Sequence, residues 1–128
     1  MSDDLDSSRI FRIDELTRKL NGDPTKIVYK VDGGEVTTKG LMKKAEVGVM
    51  DVLIPAGATF PMHVHDEKEI VAVYLGRLRI QTMNGKDIWV EVGDTYIMPA
   101  GVQHNAIAEI ETRLIAITIP ADKGYADG

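Results

Sequence analysis

Two stretches decide the reading of this chain: GATFPMHVHDEKEIVAVYLG, residues 57–76, and GDTYIMPAGVQHN, residues 93–105. Together they contain all three histidines of the sequence, His63, His65 and His104. His63 and His65 are one residue apart, so on a strand both imidazoles project from one face, about 7 Å apart along it. Two imidazoles so placed can grip a single ion, although the same pair read alone is equally an exposed feature of a strand. Glu69 follows Asp66-Glu67-Lys68, a polar stretch that reads as a bend, so the next strand can return its carboxylate beside the histidines. Taken singly, Glu69 is a surface glutamate, Asp66 and Glu67 are solvated bend residues, and His104 is a hydrogen-bonded core or surface histidine.

Outward from these stretches the chain reads as short strands separated by turn signals, the mark of an all-β sandwich or barrel. Pro55-Ala56-Gly57 and Pro99-Ala100-Gly101 are matching turns, with Pro suited to position i+1 and Gly to i+3 of a type I turn. Asn84-Gly85 is a hairpin signal between Arg77–Met83 and Asp87–Val92. A two-residue loop would oppose Leu78 to Glu91 and mix the faces. A three-residue loop, Met83 to Gly85, opposes Ile80 to Ile88, Leu78 to Val90 and Arg77 to Glu91, and puts Gly85 at a left-handed bulge position. Val47–Ile54 is a further strand, and the apolar run Leu114–Ile119 is a buried one that Pro120 ends. On the N-terminal side, Met1–Ser8 reads as a mobile acidic tail. Ile10, Ile13, Leu16 and Leu20 recur at helical spacing before the stop Asn21-Gly22, which predicts a short helix over Arg9–Leu20. Ile27–Val31 and Glu35–Thr38 are strands around the turn Asp32-Gly33-Gly34. Lys39, Lys43 and Lys44 are a small basic cluster of the kind usually found on solvated surface. Residues 121–128 read as a frayed tail. The expected organisation is one domain over 9–120 between two tails.

Composition narrows the function. A chain of 128 residues with 44% hydrophobic and 27% charged residues is one soluble domain with a real core. A net charge of −5 provides no basic field for nucleic acid or anionic lipid. The absence of cysteine excludes disulfides and thiolate chemistry and leaves any metal to imidazole and carboxylate ligands. The N-terminal MSDDLDSS lacks an apolar signal region and no apolar run approaches a membrane span, so the expectation is a cytoplasmic protein without a membrane partner.

The positions Gly57, His63, His65, Glu69, Gly76, Gly93, Pro99, Gly101 and His104 fit one double pattern at once. It resembles the two consecutive motifs of the cupin family, over Gly57 to Asn105, and its short Gly76-to-Gly93 spacing resembles the compact single-domain form. One position departs: the family's second motif often carries asparagine four residues after its histidine, where this chain has Ala108, while Asn105 adjoins His104. The resemblance implies a single jelly-roll β-barrel of antiparallel strands, with one divalent metal held near a mouth by His63, His65, Glu69 and His104. Three imidazoles and a carboxylate suit Fe, Mn, Ni, Zn, Cu or Co and leave coordination positions open. The resemblance further implies an enzyme acting on a small organic molecule, an oxidoreductase of dioxygenase type or an isomerase or decarboxylase. The alternative is a non-catalytic metal-and-ligand binding or sensing module. Tyr96 and Gln103 are candidates for proton transfer or orientation.

Strand parity then assigns the pocket wall. If His63 and His65 face inward, so do Thr59 and Pro61; Glu69 brings Val71 and Val73, and His104 brings Ala106 and Ala108. Such a wall is small and apolar and suits a compact ligand with one chelating oxygen group, provided that cations such as Arg77, Arg79 and Arg113 do not point in. The opposite set, Phe60, Met62 and Val64, would form an exposed apolar strip, and this predicts a homodimer.

Overall fold

The computed structural model describes residues 26–120. The expected tails at 1–8 and 121–128 and the expected helix over Arg9–Leu20 lie outside them. The described residues form ten strands and no helix: β1 (Lys26–Val31), β2 (Gly34–Lys43), β3 (Gly48–Ile54), β4 (Thr59–His63), β5 (Lys68–Leu75), β6 (Arg77–Gln81), β7 (Asp87–Glu91), β8 (Thr95–Met98), β9 (His104–Ala108) and β10 (Thr112–Ile119). One sheet has the order β1-β2-β3-β10-β5-β8 and the other β4-β9-β6-β7, and every pairing is antiparallel. The order skips along the chain, so the fold is a jelly roll rather than a meander.

The expected jelly-roll barrel is present as two facing sheets that do not close into a ring. At one side β1 and β4 meet through the single bridge Asp32–Thr59, where the Thr59 amide donates to the Asp32 carbonyl at 2.9 Å. At the other, the Gly93 amide donates to the Val73 carbonyl at 3.3 Å. These single bonds do not continue as ladders, so neither seam completes a ring. The core between the sheets is built on Val36, Ile54, Leu78, Val90 and Met98, all almost fully buried.

The hairpin β6–β7 takes the three-residue register, with Arg77, Leu78 and Ile80 opposite Glu91, Val90 and Ile88. The Gly85 amide closes the turn onto the Thr82 carbonyl at 2.9 Å, and Gly85 has φ 84°. This alternation sends Leu78 and Ile80 into the core and puts both Arg77 and Arg79 on the outer face, beside Trp89. The turn at Pro55 differs from expectation: the Ala58 amide donates to the Pro55 carbonyl at 3.1 Å, so Pro55 sits at position i. Gly57, with φ 86°, then occupies i+2 of a type II turn, the position that needs a left-handed residue. Gly76 is required by space as well as by φ, because a Cβ there would lie 2.1 Å from the Glu111 carbonyl oxygen.

β4 carries the feature that parity missed. Phe60 pairs with Ala106 but His63 pairs with His104, so three steps on β4 match two on β9. That extra residue is a β-bulge, which reverses the in-and-out alternation along the strand. Phe60 therefore turns into the molecule with His63, while Pro61 and Met62 are exposed. Thr59 and Pro61 are not part of the wall, and the proposed outward strip loses Phe60.

Candidate metal centre

The three imidazoles arrive from different places. His63 ends β4, His104 begins β9 directly opposite it, and His65 lies in the connection from β4 to β5, not on a strand as the spacing suggested. The Gly101 amide donates to the His65 carbonyl at 3.0 Å, so the turn of the second stretch pins the loop of the first. One potential ligand atom from each imidazole can be chosen so that all three lie within 4.8 Å of one another.

The orientation of each ring is fixed by the backbone. Nδ1 of His63 contacts the Pro61 carbonyl at 2.7 Å, Nδ1 of His65 the Glu67 carbonyl at 2.7 Å, and Nδ1 of His104 the Val102 carbonyl at 2.8 Å. A carbonyl oxygen only accepts, so each Nδ1 carries the proton and each Nε2 keeps its lone pair. Second-sphere carbonyls commonly fix metal-binding histidines in this way. Burial, opposed by the Pro61 contact, lowers the pKa of His63 and favours the neutral form that ligates.

Glu69, near the start of β5, lies beside the cluster but outside the set of three whose ligand atoms are mutually within 4.8 Å. Its Oε1 lies 3.7 Å from His104 Nε2 and 3.8 Å from His65 Nε2. Both separations exceed a hydrogen bond, and an ion between Glu69 Oε1 and the Nε2 atoms of His65 and His104 would be near those three. Burial by itself would raise the carboxyl pKa, but the imidazoles of His104 and His65, when protonated, outweigh it and bring Glu69 down to about 2. The decisive atom is His104 Nε2, which is buried and has no hydrogen-bond partner in a residue only 3% exposed. A buried orphan lone pair is costly unless something binds it. The residues present thus fit a divalent ion: imidazole nitrogen and carboxylate oxygen donors, preset tautomers and an unsatisfied acceptor.

Behind this cluster is a cavity of about 230 Å³. Its wall includes Val71 and Ala106, as parity predicted, and Ile54, Leu78, Ile80 and Leu114 from the core. It also includes Tyr29, Thr38, Met50, Phe60 and Asn105, which sequence reasoning did not assign to it. Phe60 was hidden by the bulge. Its ring meets Tyr29 and His63 edge to face, at centroid distances of 5.5 and 5.1 Å. Asn105 adjoins His104, and its side chain bridges to β6: Oδ1 accepts from the Gln81 amide at 2.9 Å and Nδ2 donates to Gln81 Oε1 at 3.1 Å. Tyr96 packs at the edge of the core opposite Val71 and does not line the cavity. Gln103 is exposed, and its carbonyl accepts from the Met83 amide at 3.2 Å.

The family model described as Cupin domain (Cupin_2) matches residues 50–120, more than half of the chain. The chain belongs to the cupin family. Solved structures with this fold include ectoine synthase from P. lautus, at 18% identity and TM-score 0.73, covering 90% of this chain and 80% of that one. KdgF from Halomonas sp. matches at 21% identity and TM-score 0.65, covering 76% and 88%. A protein described as a predicted oxalate decarboxylase from Thermotoga maritima matches at 24% identity and TM-score 0.66, covering 75% and 92%. At these identities the likeness is one of fold. Comparison with functionally curated proteins returns no match. Among the described residues no helix is long and apolar enough to cross a membrane.

Proposed function

We propose that this cupin is a metal-dependent enzyme acting on a compact organic molecule, with one divalent transition-metal ion (Fe, Mn, Ni, Zn, Cu or Co) held by His63, His65, Glu69 and His104. The observation that carries the reading is the orphaned, buried Nε2 of His104 facing the Glu69 carboxylate at 3.7 Å. When bound, such an ion supplies Lewis acidity to a substrate oxygen. The chain's own part is to hold it. The Pro61, Glu67 and Val102 carbonyls keep the three protons on Nδ1, and Glu69 supplies the anionic donor. Val71, Leu78, Ile80 and Leu114 keep water from the body of the substrate, which suits a small ligand with one chelating oxygen group. Ectoine synthase and the protein described as an oxalate decarboxylase carry the names of small-molecule enzymes, which supports a substrate of this size. Tyr96 and Gln103 receive no part, since neither borders the cavity.

A second reading, a non-catalytic binding module, draws on one feature: apart from the four proposed ligands, Tyr29 is the sole titratable side chain in the described wall. A test incubates the metal-loaded protein with small 2-oxo acids and enolisable ketones and follows products by mass spectrometry. Turnover lost in Glu69→Ala and His104→Ala supports the enzyme. Tight binding with no product with any of these compounds favours the module. A homodimer is part of the proposal, now resting on Met62 and Val64, 40% and 48% exposed. Light scattering that shows a monomer at micromolar concentration would remove it.

A further inference from the structure

The cavity wall has a second property beyond being apolar. Among the described residues lining it there is no lysine and no arginine, and the only carboxylate is Glu69 at the histidine end. Arg77 and Arg79, beside Leu78 and Ile80, lie over the outer ring of Trp89, Arg113 pairs with Asp51 on the outer face, and the buried Lys39, next to Thr38, stands opposite Asp51 in the β2–β3 register and does not line the cavity. With three neutral imidazoles and one carboxylate, a divalent ion leaves the site with one net positive charge. One anionic head neutralises that charge. A second anionic group would sit against Leu78, Ile80 and Leu114 with no counter-charge, and burying an unpaired carboxylate in such surroundings is heavily disfavoured.

We infer that the site selects compact monoanions, an oxygen-chelating head on an uncharged apolar body, and rejects dianions carrying the same head. The inference rests on the proposed metal site and deepens it by naming the ligand class. The charge of the ligand is read by what the wall lacks, not by a dedicated contact. Wall shape alone would not discriminate between two bodies of equal size, so charge is separable from fit.

The test uses the full chain loaded with Co(II), whose visible absorption reports ligand binding, with metal content measured first. The two probes are 5-methyl-2-oxohexanoate and 2-oxoglutarate, which share a 2-oxo acid head and nearly the same shape; two methyl groups in the first stand where the second has carboxylate oxygens. The monoanion is expected to bind tighter by on the order of 100-fold at neutral pH. Equal affinity, tighter binding of 2-oxoglutarate, or cobalt bound with neither probe perturbing its spectrum would overturn the inference while leaving the metal site standing. Failure to bind cobalt at all would instead remove the metal site, and the inference with it. Met50→Lys places an ammonium in the half-buried part of the wall and is expected to narrow the preference by about tenfold. An unchanged preference in a cobalt-loaded Met50→Lys protein would also overturn the inference.

Discussion

Strand β5 contributes to two polar clusters on opposite faces of the same sheet, and they are built on opposite terms. On the outer face, Asp51 is only 2% exposed and both its oxygens are occupied. Oδ1 accepts from the Tyr74 hydroxyl, and Oδ2 accepts from Arg113 Nη2 at 3.0 Å. Burial, then the Asp51 hydrogen bond, push the Tyr74 phenol far above its usual pKa, so it remains a donor. On the inner face, Glu69 meets imidazoles whose protons are committed to backbone carbonyls, and whose facing nitrogens offer lone pairs to a carboxylate that also only accepts. With the imidazoles neutral, acceptor faces acceptor across His104 Nε2 and Glu69. In the outer cluster donors meet the acceptors of Asp51, although Arg113 Nε is left without a hydrogen bond; in the inner one, with neutral imidazoles, a cation is what the facing acceptors lack. Buried polar groups of the first kind hold a fold together, and those of the second kind mark where a ligand belongs.

Breaking each cluster should therefore give different phenotypes. Glu69→Ala and His104→Ala are expected to weaken metal binding by about 100-fold or more, as read by competition with a chromophoric chelator, with thermal stability of the metal-free protein nearly unchanged. Asp51→Ala is expected to do the reverse. It removes the buried carboxylate that accepts from both Tyr74 and Arg113 and costs about 3 kcal/mol in denaturant unfolding, with metal affinity retained. Acidification should separate the clusters by pH. His63 has a lowered folded pKa, so below 6.5 the unfolded chain takes up a proton that the folded chain resists, and stability falls as pH drops through that range. Glu69 acts lower: once the imidazoles of His104 and His65 are protonated they hold its carboxylate charged, and that contribution is lost as pH falls from 4.5 toward about 2. Metal release on titration should thus begin with His63, above the range where Glu69 protonates. Tyr74→Phe is the smallest effect, about 1 kcal/mol for one hydrogen bond, visible as a small shift of the unfolding midpoint.

The legible parts of the molecule are those set by local chemistry. Asn84-Gly85 fixed the β6–β7 register because a left-handed glycine selects one loop length, and the apolar matches across the hairpin agree with it. The spacing anticipated that His63, His65 and His104 would come together, and Glu69 lies beside two of them. What the sequence concealed is nonlocal. The bulge in β4 depends on its pairing with β9, and without it Phe60 counts as outward and Thr59 and Pro61 as inward. The continuous apolar run Leu114–Ile119 read as doubly buried, but Ile115 and Ile117 belong to the outer face and are only partly covered among the described residues. The type II turn at Pro55 went unread because the same three residues fit two turn types until the closing hydrogen bond is known.

The most direct measurement is metal content by plasma mass spectrometry on untagged protein, purified without chelator or added metal. The account predicts close to one transition-metal ion per chain in the wild type and little in His104→Ala. Wild-type protein that carries no metal and takes up none on titration with Fe(II), Mn(II), Co(II), Ni(II), Cu(II) or Zn(II) would contradict it, and would leave the inner cluster without the cation its geometry demands.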